Sequence, residues 1–191
     1  MAPIRLLLLG SPLIERDGSP VKFDRRTATA LLAFLALSRT PHRRDTLAAL
    51  FWPEYGQAEA SAYLRRTLWA LNRALGADLL AADRETIGLR DDADLWVDAL
   101  AFRQLLAACQ SHPHQSAERC RECLARLAEA AELYRGDLLA GFSLRESPSF
   151  DEWQIAQAEA LRQEYVGALE WLARGAAALD PLDQASAAAR R

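Results

Sequence analysis

The chain has 191 residues, of which 51% are apolar, and this is enough to form the core of one large domain or of two small ones. Its 23 basic and 26 acidic residues give a formal net charge of −3, which argues against a protein that coats nucleic acid without regard to sequence. The charge is unevenly distributed, because residues 1–97 hold 13 Arg or Lys against 12 Asp or Glu, whereas residues 98–191 hold 10 against 14. The first half is therefore the one expected to meet an anionic partner.

The N-terminus carries a run of four leucines, Leu6 to Leu9, after a single arginine. This run is too short for the apolar region of a signal peptide and far too short to span a bilayer. We therefore expect a cytoplasmic protein. In that reducing compartment its 3 cysteines are expected to be thiols or metal ligands, because disulfide frameworks are rare there.

Residues 4–23 alternate short apolar runs with turn signals, and they predict three short antiparallel strands with a hairpin-type turn at Asp17-Gly18. From residue 26 the apolar residues follow a helical period, which predicts a first helix over 26–38. A second, short helix is predicted over 43–52, where it stops at a proline. Arg43 stands where a serine-like N-cap is expected, so the start of this helix is the least defined of these boundaries.

The stretch "AEASAYLRRTLWALNRALG", Ala58 to Gly76, predicts a third helix with two distinct faces. At about 100° per residue, one face collects the apolar residues Ala60, Leu64, Leu68, Leu71 and Leu75. The opposite face collects Arg65, Arg66, Trp69 and Arg73. Such a face is either a solvated one whose arginines pair with acids, or a binding surface. Trp69 could pack on a sugar or a thymine methyl group, or lie half-buried against the first helix.

The order of the elements favours the binding surface. Residues 79–89 predict a hairpin after the third helix, and a short helix, a tight connection, a longer helix and a hairpin are the order of a winged helix-turn-helix. In that arrangement the third helix lies in the DNA major groove, where arginine matches guanine edges and phosphates, and the wing reaches the neighbouring backbone. Beyond Asp98, a candidate N-cap, helices are predicted over roughly 98–109, 117–135 and 149–173, with the end of the chain frayed.

The chain also resembles a known family, on the runs "RRTATALLAFLAL", "RRDTLAALFWPE", "AYLRRTLWALNRALGADLL", "LWVDALAF" and "AAELYRGDLLAGFSLRESPSFDEWQIAQAEALR". These runs look like those of the SARP-type bacterial transcriptional activators. That family joins an OmpR/PhoB-like winged helix to a helical bacterial transcriptional activator domain, which is similar to tetratricopeptide repeats (TPR). The resemblance covers nearly the whole chain, and it is most specific in "YRGDLLAGF" with "FDEW".

The resemblance implies a mainly α fold with small β elements, made of a winged-helix DNA-binding domain over 1–97 and a TPR-like helical domain over 98–191. The family pattern continues further, so the helical domain is expected to be truncated. By analogy, the side chains that face DNA are Arg65, Arg66, Trp69 and Arg73, with Arg44 near a phosphate at the start of the second helix and Arg84 at the tip of the wing. The implied partners are double-stranded DNA with direct repeats, a second copy of the chain on that DNA, and RNA polymerase.

Five candidate metal ligands are crowded into "CQSHPHQSAERCREC", namely Cys109, His112, His114, Cys120 and Cys123. The Cys-x-x-Cys spacing is that of a zinc knuckle, and His112 with either His114 or Cys109 could complete a tetrahedron between two helix ends. We expect a structural zinc. The alternatives are incidental thiols in helix cores, or a redox pair, which would lack the strand-to-helix context of thioredoxin-like motifs.

The sequence holds no Gly-rich phosphate loop, HExxH or GxSxG, so an enzyme is not expected. Two hypotheses therefore remain. The first is a sequence-specific DNA-binding transcriptional regulator, expected to be an activator. The alternative is a protein–protein interaction scaffold in which the winged helix no longer binds DNA, and the overall acidity favours it mildly.

Overall fold

The computed structural model describes residues 3–76, 79–113 and 120–188, the last ten of them by their backbone alone. Its described part is mainly helical and contains two small sheets, as the sequence predicts. The fold is a winged helix followed by further helices.

The N-terminal sheet has four strands in the order β3-β2-β1-β7. The strands are β1 (Ile4–Leu7), β2 (Leu13–Arg16), β3 (Ser19–Pro20) and β7 (Leu95–Val97). The three predicted antiparallel strands are confirmed, and the turn between β2 and β3 has positive φ at both Asp17 and Gly18, as a type I′ hairpin requires. The parallel strand β7 was not predicted, because it is three residues long and its partner β1 lies some ninety residues earlier.

Three helices form the helix-turn-helix region: α1 (Arg26–Ser38), α2 (Arg44–Phe51) and α3 (Gln57–Leu75). The predicted bounds are confirmed to within one residue, which is the normal disagreement at helix ends. Gly76 caps α3 with a φ of 98° and donates its N–H to the Asn72 carbonyl. The start of α2 has no side-chain cap at Arg43; the N–H of Arg44 is satisfied instead by the carbonyl of Glu85.

The wing is the second sheet, with strands in the order β4 (His42–Arg43), β6 (Thr86–Leu89) and β5 (Leu80–Ala82). The predicted hairpin of β5 and β6 is confirmed, and β4 adds the entry to α2 as an edge strand. Gly88 lies against Pro41, whose Cα would be 3.3 Å from any Cβ at this position. The wing is thereby fixed to the connection between α1 and α2.

The remaining helices are α4 (Asp98–Ser111), α5 (Arg121–Leu133) and α6 (Pro148–Ala188). Consecutive helices pack on one another, α4 on α5 and α5 on α6. Helix α6 continues beyond the predicted end at residue 173, so the expectation of a frayed tail is wrong up to Ala188. The extension is rich in alanine, which has the highest intrinsic helix propensity, but it also contains Gly175 and Pro181, so propensity alone does not explain it.

The main core is continuous across the predicted domain boundary at residue 97, since one cluster of buried side chains extends from Ile4 to Leu161. The rings of Phe51 in α2 and Phe150 in α6 have centroids 5.5 Å apart. The Ser147 hydroxyl donates a 2.5 Å hydrogen bond to the Leu50 carbonyl. The two-domain division itself stays a prediction.

Asp98 joins the strand layer to the helices. Its side chain is almost fully buried, and its carboxylate accepts hydrogen bonds from the backbone N–H groups of Leu8 and Leu9 at 2.8 and 2.9 Å. It also accepts a hydrogen bond from the N–H of Ala99 at 2.8 Å, and it forms a salt bridge of 3.1 Å with Arg135. The predicted N-cap role of Asp98 is wrong, because Val97 occupies the N-cap and Asp98 is the first residue of α4, where its carboxylate binds the strand layer instead.

Candidate nucleic-acid interface

Helix α3 has the two faces that its sequence predicts. The apolar stripe is buried throughout, at Ala60, Leu64, Leu68, Leu71 and Leu75. The opposite side chains are exposed, at Arg65, Arg66, Trp69 and Arg73. Trp69 is 62% exposed, so the alternative in which it lies half-buried against α1 is wrong. Tryptophan side chains are seldom this exposed, and this one lies beside three arginines.

Two aromatic rings of α3 lie against the guanidinium groups of Arg66 and Arg73. The guanidinium carbon of Arg73 lies 5.1 Å from the centre of the Trp69 ring, and that of Arg66 lies 5.6 Å from the ring of Tyr63. Within the described residues, neither these two arginines nor Arg65 forms a salt bridge with an acid. The alternative of a solvated face with internally paired arginines therefore does not describe this helix, and its positive charge is available to a ligand.

A groove separates α3 from the wing, and its walls carry Arg43, Arg44, Arg65 and Arg84 together with Asp45, Asp83 and Glu85. Arg84 is exposed at the turn between β5 and β6, where the sequence places it. Arg44 is half-buried, and its Nε donates a 2.7 Å hydrogen bond to the Asp83 carbonyl. It thus links the start of α2 to the wing turn, a role that sequence reasoning did not foresee.

Two of the acids in the groove are held by their neighbours. The carboxylate of Asp83 accepts the backbone N–H groups of Thr86 and Glu85, both at 2.7 Å, and these bonds lower the pKa of Asp83. The Asp45 carboxylate pairs with Arg43 at 2.9 Å, and this hydrogen bond lowers the pKa of Asp45. The carboxylates of Asp83 and Asp45 therefore stabilise the wing turn and the start of α2, respectively.

Arg43 is a groove residue that the sequence analysis considered only as a doubtful helix cap. Its side chain is exposed in the same groove as Arg65. The available signal was the Arg43-Arg44 pair directly before an N-terminal helical turn, where backbone N–H groups and arginines together favour anions.

The second group of predicted site residues lies at the other end of the molecule. His112, Cys120 and Cys123 form a candidate metal-binding group, because one ligand atom from each lies within 4.8 Å of the others. Cys109 is fully buried beside Cys123, with its Sγ 3.4 Å from the Cys123 carbonyl oxygen. His114 falls outside the described residues.

The two thiols of the Cys-x-x-Cys pair differ in environment. Burial raises the pKa of Cys123 to about 12, whereas the backbone N–H of Cys123 lowers the pKa of the Cys120 thiol. The first cysteine is at the N-cap of α5 and the second is inside its first turn. Without a ligand, Cys120 is the more reactive of the two.

The chain matches no protein-family model and no curated protein. Among solved structures it is similar to EmbR of Mycobacterium tuberculosis, a SARP-family transcriptional regulator determined in complex with a low-affinity phosphopeptide. The similarity has a TM-score of 0.69 at 21% identity and covers 97% of this chain but 50% of that one. The chain therefore spans about half the length of that structure, and at this identity the likeness shows the fold.

The chain thus has a SARP-like fold, as its sequence motifs predict. None of the helices that the structure describes is long and apolar enough to cross a membrane.

Proposed function

We propose that the protein is a sequence-specific DNA-binding transcriptional regulator and that it acts as an activator. The observation that carries this proposal is the exposed face of α3, on which Arg65, Arg66, Arg73 and Trp69 stand opposite a buried leucine stripe. The similarity to a transcriptional regulator over almost the whole chain supports the same reading.

In this proposal α3 enters the major groove with its arginine face toward the base edges. An arginine fork donates two hydrogen bonds to O6 and N7 of guanine, and each such contact discriminates by about 1 to 3 kcal/mol. Trp69 is already stacked with Arg73, and its remaining ring surface packs on a sugar or on a thymine methyl group. Affinity comes mainly from phosphates, and specificity comes from the bases.

The wing and the start of α2 position the recognition helix. Arg84 reaches the phosphate backbone beside the groove that α3 occupies. Arg44 adds a positive charge near the same strand while its Nε keeps the wing turn in register with α2. Asp83 maintains the shape of that turn through its two backbone bonds. The bound DNA is thus contacted by α3 and by a wing whose orientation is fixed.

The protein acts by binding, without catalysis, in the cytoplasm where the DNA lies. Two copies bind side by side on direct repeats, and the helical region contacts RNA polymerase. A metal held by the Cys/His cluster has a structural role. The pairing of two copies on direct repeats and the contact with RNA polymerase follow the family that the sequence resembles, whereas the metal follows from the crowding of cysteine and histidine within residues 109–123.

Fluorescence anisotropy tests the proposal, using a labelled duplex that the unmodified protein has selected from a random-sequence pool. Substitution of Arg65, Arg66 and Arg73 by alanine removes the arginine face, and we expect specific binding to be lost while the circular dichroism spectrum is unchanged. A charge-matched control replaces Arg145, Arg162 and Arg174, which lie outside the winged-helix region, and should retain binding. Equal affinities of the two triple variants, or no selected sequence at all, would contradict the proposal and favour the scaffold alternative.

A further inference from the structure

Four side chains that can bind soft metals meet where the end of α4 faces the start of α5. Cys109 is in the last turn of α4 and His112 directly follows that helix; Cys120 is the N-cap of α5 and Cys123 lies in its first turn. Each pair has two residues between its members, so the pattern is Cys-x2-His followed by Cys-x2-Cys. Paired short spacings of this type are usual in structural zinc sites.

The distances within the cluster fit a tetrahedral ion. The Cys120 Sγ and the His112 Nδ1 are 3.7 Å apart. Ligands at about 2.3 Å for sulfur and about 2.0 to 2.1 Å for nitrogen, at a tetrahedral angle, are separated by about 3.6 Å. The Cys123 thiol lies within 4.8 Å of the Cys120 thiol and of a ring nitrogen of His112. Three ligand atoms therefore already outline one face of the coordination sphere.

The histidine is held in the orientation that a metal ligand requires. Its Nδ1 faces the sulfur of Cys120, while its Nε2 lies 3.1 Å from a carboxylate oxygen of Glu122. Glu122 is itself paired with Arg126 one turn further along α5. Metal-bound histidines characteristically donate the second ring N–H to a carboxylate, which fixes the tautomer and the ring plane. This contact is independent of the cysteine spacing and points to the same ligand.

Cys109 is placed to provide the fourth ligand. Its Sγ is 3.4 Å from the carbonyl oxygen of Cys123, and the Sγ of Cys123 is 4.0 Å from the carbonyl oxygen of Cys109. Cys109 and Cys123 are thus in mutual contact between the helices, and the Cys109 thiol, which is outside the group of three ligand atoms that lie within 4.8 Å of one another, would turn toward them on metal binding.

We propose that the protein binds one zinc ion through Cys109, His112, Cys120 and Cys123, and that this ion clamps α4 to α5. Three thiolates and one imidazole select zinc over magnesium or calcium, which prefer oxygen ligands. Four protein ligands leave no position for a reactive water, so the site is structural. The clamp would add to a small buried cluster at this end, in which the described residues Leu127 and Ala168 lie beside the two buried cysteines and four further apolar side chains, Leu106, Leu124, Trp171 and Leu172, pack against them partly buried.

Plasma emission spectroscopy on untagged protein, expressed in zinc-supplemented medium, measures the metal directly. We expect a ratio of about one zinc per chain, which falls toward zero in Cys120→Ser and in His112→Ala. Both side chains are partly exposed, so these variants should stay folded, and circular dichroism checks this. His114→Ala is the matched control and should keep its zinc. A ratio near zero in the unmodified protein would overturn the proposal, as would a disulfide between Cys120 and Cys123.

Two further measurements distinguish the residues that coordinate the metal from residues that only lie near it. Cobalt(II) added to the metal-free protein should give the visible bands of a tetrahedral site with thiolate charge transfer, weakened in Cys109→Ser. Loss of metal in His114→Ala, with full retention in Cys109→Ser, would overturn the assignment of the fourth ligand.

Glu122→Gln should weaken zinc binding by about 10- to 100-fold in competition with a chromophoric chelator, whereas Glu129→Gln, on the exposed side of the same helix, should not. Equal affinities of the two variants would overturn the orienting role of Glu122.

Discussion

The arginine face of α3 and the Cys/His cluster between α4 and α5 each bring together side chains that can bind a ligand, but the two sites are assembled differently. The arginine face lies on one element, so the helical period alone brings its members together. The cluster joins residues from two helix ends, and its geometry depends on how α4 packs against α5. The first surface therefore survives as long as one helix forms, whereas the second exists only in the assembled structure.

The two regions also relate differently to the main core. The leucine stripe of α3 belongs to the large cluster that extends from Ile4 to Leu161. Cys109 and Cys123 belong to a separate, smaller one. Substitutions in the first region should consequently act on the whole fold or on DNA binding, and substitutions in the second should act locally.

The largest effect is expected for Asp98→Ala, which acts on the link between the strand layer and the helices. It leaves the buried N–H groups of Leu8 and Leu9 without an acceptor, and we expect a loss of about 2 to 6 kcal/mol in the free energy of unfolding. Urea denaturation measures it. Asp92→Ala, which removes an exposed ion pair with Arg90, is the control and should change stability by less than about 1 kcal/mol. Two separate unfolding transitions in either variant would contradict a shared core.

Leu68→Ala should cost about 2 to 5 kcal/mol, because it opens a cavity under α3. The adjacent Trp69→Ala removes a side chain that is 62% exposed and should leave the melting temperature nearly unchanged. Thermal melts of the pair compare the two faces of one helix. Should Trp69→Ala prove the more destabilising, α3 is rotated relative to the structure.

Arg66→Ala should lower DNA affinity by about 1 to 3 kcal/mol if the guanidinium contacts a base. If it contacts a phosphate instead, the loss is smaller, uniform across sequences, and accompanied by a salt dependence reduced by about one ion. Anisotropy titrations at several salt concentrations distinguish the two. An unchanged affinity at every salt concentration would remove Arg66 from the interface.

The smallest effect is expected for a substitution in the Cys/His cluster that is assayed by DNA binding, because it tests whether the two regions are coupled. Cys120→Ser removes a proposed zinc ligand where α4 ends and α5 begins, and it should alter the DNA dissociation constant by less than about twofold, because distant sites without shared partners behave additively. The same titrations measure it. A large loss of DNA affinity in this variant, with α3 intact by circular dichroism, would show that the cluster is coupled to the interface.

The sequence alone predicted those features of this protein that are local. The bounds of α1 to α3, the Asp17-Gly18 turn, the hairpin of the wing and the two faces of α3 all follow from periodicity and turn chemistry within about twenty residues. The exposed positions of Arg65 and Arg66 followed from the same period. Their role on DNA stays a prediction, because exposure alone does not identify a ligand.

Only the tertiary structure decided the features that join distant parts of the chain. The pairing of β7 with β1, the contacts of Asp98 with Leu8, Leu9 and Arg135, the bond from Arg44 to the wing turn and the approach of His112 to Cys120 all connect separate elements. No local period encodes such contacts, because their geometry is set by which elements pack together. The cysteine spacing named five candidates for a metal, and the packing of α4 on α5 selected the side chains that approach one another.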